Sequence, residues 1–309
     1  MTIINPAAEW LAGGGKAMGR IIPRILCCLV AALFLASGCT GPAAERQPPP
    51  EETAAAAIET EPTAAPELPE DRSPESLQAL AQAYEQEAPS QWGLEFEGIL
   101  SRFEPAGKQL ALTLDACGGP TGGGIDMALI DFLSREKIPA TLFVSGRWAE
   151  QNRELLKELS ENPLFSIQNH GGLHRPLAVT PREAYGIPAV GSVEGVMEEI
   201  LAGERAITEI TGVRPRFFRS GTAHYDDVSV GMLRELGYTV AGFSVNGDGG
   251  ATFTAAQVGA ALRACRPGDI ILCHMNRPDR PTGEALMSAL PALAAQGYAF
   301  VRLEDVPPF

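Results

Sequence analysis

From Lys108 almost to the C-terminus, short apolar runs alternate with longer stretches whose apolar residues recur at helical spacing. The strand-like runs are Gln109–Leu114, Ala140–Val144, Phe165–Gln168, Phe217–Arg219, Thr239–Phe243, Asp269–Cys273 and Ala299–Arg302. Between them lie helix-like runs at Asp126–Glu136, Ala149–Ser160, Val193–Thr211, Asp227–Leu236, Ala255–Arg263 and Glu284–Gln296. Several of the strand-like runs are nearly all apolar, as expected where helices cover one face and a packed interior the other. This alternation predicts an α/β fold, either a barrel or an open doubly wound sheet. Upstream, Leu77, Leu80, Ala81 and Tyr84 predict a short helix over Ser76–Ala88, and Trp92–Phe103 reads as an entry segment.

The polar residues are concentrated at the ends of these runs. Asp115, His170, Arg219, Asn246 with Asp248, and His274 fall at or just past the C-termini of five strands. In a parallel barrel those ends meet on one face, where catalytic groups collect. His170 and His174 form H-x-x-x-H with Gly171 and Gly172 in between. Paired glycines argue against a helix and let the backbone turn so that both rings converge. Two histidines, a carboxylate and a separate histidine are what a metal-assisted hydrolase needs. Arg219 follows two phenylalanines, so it should be partly buried and therefore paired. His224 reads equally as a site residue or a surface-loop histidine. Asp248 sits among Gly247, Gly249 and Gly250, where aspartate is also common for turn geometry alone. Trp148 and Tyr225 are candidates to stack on a sugar, with core packing an equal reading for Trp148. Asn276 and Arg277, beyond His274, are candidates to touch substrate, whereas Cys273 should point away from the side His274 faces.

The N-terminus reads as an address. Lys16, Arg20 and Arg24 precede an apolar run from Ile25 to Ala36, the length of a signal h-region and short for a membrane span. The run ends in Leu35-Ala36-Ser37-Gly38-Cys39, which resembles a bacterial lipobox, with the signal peptide over residues 1–38 and lipid on Cys39. Residues 39–75 are rich in Pro, Ala and Glu and predict a disordered, self-repelling spacer. The formal net charge of −14 argues against nucleic acid as a partner. Beyond Cys39, the remaining Cys117, Cys265 and Cys273 could form at most one disulfide, and the sequence does not choose it.

With these motifs in order, the stretch from about Lys108 to Leu303 resembles the polysaccharide deacetylases of the carbohydrate esterase family 4 type. The motifs that carry the likeness are Thr113-Leu114-Asp115-Ala116, the H-x-x-x-H of His170 and His174, the arginine segment from Arg214 to Arg219, the aspartate segment and Leu272-Cys273-His274. The resemblance implies a distorted seven-stranded (β/α) barrel over residues 108–309, preceded by the helix and entry segment of 76–107. It also implies a divalent metal, zinc first, on His170 and His174. Asp115 would be the base, His274 the acid, Arg219 the partner of Asp115, and Asp248 a more distant orienting carboxylate. A backbone N–H in the loop of Thr222 and Tyr225 would face the oxyanion.

The sequence departs from the family at Ala116, where a second aspartate usually ligates the metal. Asp115 can stay the base, with other groups completing the metal shell. It can instead become the ligand, with the base role falling elsewhere. Or Cys117, on the same strand face, can join the metal. The first two are preferred equally over the third, and His224 or Asp226 could fill the missing role. Ser220-Gly221-Thr222 also stands where the family often has prolines. The expected activity is removal of acetyl groups from an extracytoplasmic polysaccharide by a lipid-anchored protein, in the outer membrane if the host has one. The alternatives are a non-catalytic carbohydrate-binding lipoprotein and a small-molecule amide hydrolase on the same barrel. The glycan, the acetyl position, the metal and the oligomeric state are not legible from the residues.

Overall fold

A computed structural model of the chain describes residues 72–306. The expected signal peptide, Cys39 and nearly all of the expected 39–75 spacer lie outside the described residues. All seven expected strands are present, and two shorter ones join them. In chain order they are β1 (Ile99–Leu100), β2 (Gln109–Ala116), β3 (Ala140–Val144), β4 (Phe165–Asn169), β5 (Phe217–Phe218), β6 (Thr239–Ala241), β7 (Val245–Asn246), β8 (Ile270–His274) and β9 (Ala299–Val301). They make one sheet in the order β7-β8-β2-β3-β4-β5-β6-β1, with β9 pairing the start of β2. Every pairing in it is parallel. The sheet curls until its far ends approach each other. Arg102, just past β1, bridges Asp269, just before β8, and Phe103 N–H donates to Gly268 O at 3.0 Å. The expected distorted (β/α) barrel is therefore the observed fold, with β1 and β7 extending it. Both extra strands are two residues long, too short for a period-2 pattern to register.

The helices are α1 (Pro74–Tyr84), α2 (Met127–Arg135), α3 (Gly146–Gln151), α4 (Arg153–Glu161), α5 (Val193–Thr211), α6 (Asp227–Glu235), α7 (Ala255–Arg263) and α8 (Thr282–Ala295). The single helix expected over Ala149–Ser160 is two, because Asn152 leaves helical geometry at φ −126° and ψ 38°. The helix α1 begins two residues earlier than expected. Pro at its first position and Ser73 as its cap explain the start. Arg72 pairs with Glu204 of α5 at 3.0 Å, so this end of the supposed spacer is docked on the domain. None of the helices among the described residues is long and apolar enough to cross a membrane.

Strand alternation divides the core into layers. Leu110, Leu112, Leu114 and Ala116 of β2 pack outward with Leu129, Leu133, Leu286 and Leu290 of the helices. Ala111 faces the other way and joins Phe143, Phe217, Ala241 and Ile270 in the barrel interior. The same alternation on β8 sends Ile271 and Cys273 outward and Ile270 inward. This inward apolar plug fills the barrel from below. The polar residues stand on top of it.

Candidate active site

Asp115 and Thr113 follow Ala111 on the inward face of β2, and Arg219 enters from the end of β5. The guanidinium of Arg219 is fully buried. Its Nη1 donates to Thr113 Oγ1 at 2.8 Å and Asp115 Oδ1 at 2.7 Å, and its Nη2 donates to Gly242 O at 2.8 Å. It also lies 4.3 Å from the centre of the Phe143 ring, a cation–π contact in a dry place. Burial pushes the Asp115 carboxyl up, but the charge and hydrogen bond of Arg219, helped by His170 and His274, bring it below the usual carboxylate range. The arginine thus holds a buried Asp115 ionised and fixes which oxygen is free.

That free oxygen, Oδ2, lies 3.5 Å from His170 Nε2. The other ring nitrogen of His170 is 2.7 Å from Arg219 O, so Nδ1 carries the proton and donates it to the carbonyl. In the neutral ring Nε2 then keeps its lone pair facing inward, the arrangement common to metal-binding histidines, although Asp115 and Cys117 outweigh burial and raise the ring above its usual value. The rings of His170 and His174 meet edge to face at 4.7 Å. Cys117 completes the group: donor atoms of Cys117, His170 and His174 all lie within 4.8 Å of one another. Cys117 Sγ is 3.8 Å from His170 Nε2. Burial raises its thiol, yet the imidazoles of His174, His274 and His170 outweigh burial and bring it well below the ordinary thiol range. Cys265 and Cys273 contrast with it. Burial pushes Cys265 up to about 12 and Cys273 well above its usual value. All three thiols are free.

The structure therefore reorders the three repairs for Ala116. Among the described residues the metal-sized cluster takes the third, Cys117, and not Asp115, His224 or Asp226. Position 116 faces the outer core by alternation, whereas Asp115 and Cys117 share the inward side. A thiolate and two imidazoles suit zinc, and the residues fit such an ion. The backbone of Cys117 is anchored too, its carbonyl accepting from Ser145 Oγ at 2.9 Å and Arg147 Nε at 2.8 Å.

On the neighbouring strand β8, His274 is the register partner of Asp115 on β2. Its Nδ1 lies 2.9 Å from Asp248 Oδ1, and its backbone N–H donates to Asp248 Oδ2 at 2.7 Å. Thr282 Oγ1 donates to the same oxygen at 3.2 Å. Asp248 is fully buried and directly bound to His274, closer than the distant role expected for it. Burial lowers the imidazole, but the thiol of Cys117 and the carboxylate of Asp248 raise it well above its usual value.

Several other expected site residues lie elsewhere. Asp226 is the N-cap of α6, accepting from Ser229 N at 2.8 Å, and its second oxygen accepts from Val179 N at 2.7 Å. His224 is held between Trp92 and Tyr185, with ring centres 5.5 and 5.3 Å away. Tyr225 and Trp148 are fully buried and offer no stacking face. The hydroxyl of Tyr225 accepts from Ser220 N at 2.8 Å, and Trp148 Nε1 donates to Gly124 O at 2.9 Å. Asn276 is buried against Gly122 O at 2.8 Å, and Arg277 pairs with Asp279. The loop of Thr222 does sit against the histidine loop: Gly221 N–H donates to Arg175 O, and Thr222 and Ala223 both have positive φ, 66° and 56°. Two successive left-handed non-glycine residues are strained, a condition found at functional loops. Sequence reasoning missed Thr113, Phe143 and Glu199. Glu199 alone left a signal, as a carboxylate within the buried stripe of α5.

Comparison with known proteins agrees with this geometry. Residues 103–241 match the family model described as polysaccharide deacetylase. The peptidoglycan-N-acetylglucosamine deacetylase PgdA of Listeria monocytogenes is 28% identical over 201 residues, which are 64% of this chain but 39% of that protein. The chain thus spans about two fifths of the length of that relative. Among solved structures, PdaA of Bacillus subtilis, a family 4 carbohydrate esterase, superposes with a TM-score of 0.55 at 22% identity, covering 75% of this chain and 88% of PdaA. A pseudoenzyme of the same esterase family from Bacillus anthracis gives 0.54 at 20% identity, covering 67% of each chain. Both share the barrel fold.

Proposed function

We propose that this chain, which matches the polysaccharide deacetylase family model over residues 103–241, hydrolyses acetyl groups from an N- or O-acetylated glycan of the cell envelope. The observation that carries the reading is the convergence of Cys117, His170 and His174 within 4.8 Å beside the buried Asp115–Arg219 pair. Cys117, His170 and His174 would hold a divalent ion, zinc first, whose chemistry is to polarise a carbonyl oxygen and make bound water more acidic.

The chain's own groups then divide the proton traffic. Asp115, kept ionised by Arg219, accepts a proton from the attacking water. Thr222, in the strained loop beside His174, offers its backbone N–H toward the carbonyl oxygen as negative charge develops there. Burial lowers the His274 imidazole, but Cys117 and then Asp248 raise it well above its usual value, which favours the protonated form that can deliver a proton to the departing amine or alcohol. The products are acetate and a free amino or hydroxyl group. The likeness to a peptidoglycan deacetylase favours the peptidoglycan of the cell wall as the polymer, and Cys39 would tether the domain to the envelope through lipid.

The test is acetate release from N-acetylated peptidoglycan by the full chain, before and after chelation and after zinc or cobalt is added back. Loss and recovery support the reading. Bound metal with glycan affinity but no acetate would make the chain a non-catalytic binder. Turnover of small amides in preference to polymer would make it an amide hydrolase. For the anchor, Cys39→Ser should release the protein from membranes; a Ser variant that stays in the membrane fraction rejects it.

A further inference from the structure

We infer that Glu199 of α5 is a positioning residue that sets His174 in place for metal binding. The inference rests on the metal reading of Cys117, His170 and His174. In the loop that follows β4, Leu173, next to His174, is 59% exposed, so its side chain does not anchor this point of the loop. The loop is held here by its backbone. The carboxylate of Glu199, itself 5% exposed, accepts from Leu173 N at 3.0 Å through both oxygens and from Arg175 N at 3.0 Å through Oε1. These are the residues on either side of His174. The backbone carbonyl of Glu199 accepts from Gly172 N at 2.7 Å, so one residue of α5 grips three N–H groups of the loop.

The grip explains two other features. His174 has φ +61°, a left-handed conformation that an L side chain adopts only when its surroundings impose it. Donors fixed at both neighbours impose it here. Gly171, at φ +78°, must also be glycine, because a Cβ there would fall 2.5 Å from Glu199 Oε1. The second glycine of the H-x-x-x-H loop packs as closely, its added Cβ falling 2.7 Å from the Cβ of Ala202 on α5. The glycines therefore do more than loosen the turn: they let the loop close onto α5. A carboxylate that accepts only backbone N–H groups acts on the metal through His174, not by touching it. Partners at this remove typically change metal affinity about 10–100-fold.

The experiment measures zinc affinity by competition with a chromogenic chelator in the full chain, in the parent, Glu199→Ala and Glu199→Gln. The same glutamine substitution is also placed in a His174→Ala background. Glu199→Ala should weaken zinc binding about 10–100-fold. Glu199→Gln, which keeps one oxygen acceptor, should lose less and remains informative if the alanine variant does not fold. With His174 already gone, Glu199→Gln should change zinc affinity no further, because the two act as one unit. Parental affinity in Glu199→Gln and Glu199→Ala overturns the inference, and so does an equal loss with and without His174, which marks a structural role only. A parent that takes up no zinc fails at an earlier point: it overturns the metal site, and the inference with it.

Discussion

Two neighbouring strands of the site carry the same kind of pair, a carboxylate beside a nitrogen cation, and the proposed reaction uses it in opposite ways. On the β2 side, Asp115 would be the working group and Arg219 is its fixed partner, both buried. On the β8 side, His274 would be the working group and Asp248 is its buried partner, with the imidazole slightly exposed. In the first pair the cation cannot lose its proton, so it holds the carboxylate below the usual carboxylate range. In the second the cation titrates, so the pair can give a proton away and take it back. In the proposed reaction, base and acid are thus distinguished by which partner is permanent.

The comparison can be broken at each point, beginning with the largest effect. Asp115→Asn keeps the shape of the first pair and removes the base. Acetate release should fall about 10²–10⁴-fold, while zinc content, measured by elemental analysis, stays at the parental level. Loss of zinc instead would make Asp115 a ligand. Arg219→Met leaves a buried carboxylate without its cation and should cost about 3–5 kcal/mol of stability in denaturant unfolding. For the parent, the lowered pKa of Asp115 sets the direction of the acid limb. The stability it supplies is complete above the usual carboxylate range and declines as pH falls toward the folded-state pKa, because the unfolded chain binds the proton first.

The second pair should respond to pH and not by collapse. Asp248→Asn removes a charge that raises His274, so the alkaline limb of the activity profile should move to lower pH with the fold retained. An unmoved limb would mean that His274 is not the acid. Cys117→Ser sharpens the contrast between the two pairs from outside either of them. It should remove the intense thiolate-to-cobalt absorption of the cobalt-loaded protein, and persistence of that band would exclude the sulfur from the metal. The smallest effect is expected at Tyr185, 77% exposed against His224. Tyr185→Ala should shift unfolding by no more than about 0.5 kcal/mol, and any change in activity should appear in KM on polymer.

Much of this was legible in local pattern. The strands of the barrel and the arrival of Asp115, His170, Arg219 and His274 at their ends follow from apolar periodicity and period-2 alternation, which any short window of chain contains. The pairing of Arg219 could be foreseen because a guanidinium after Phe217 and Phe218 had to be buried and satisfied. Asp226 could not be placed this way. A carboxylate before a helix reads as an N-cap or as a ligand until its neighbours are known, and here Ser229 and Val179 take its oxygens. Tyr225 and Trp148 misled for a similar reason, since an aromatic ring carries no local mark of which side of a loop it will pack against.

By itself, then, the sequence determined the order of strands and helices, the single rim to which the polar residues come, and the shared inward side of Asp115 and Cys117, because backbone alternation is a local property. Only the tertiary structure decided that Cys117 rather than Asp115 groups with His170 and His174, that Asp248 grips His274 directly, and that Glu199 reaches across from α5 to the histidine loop. Those choices depend on the curl and register of strands far apart in the chain, where a few ångströms separate a ligand from a neighbour.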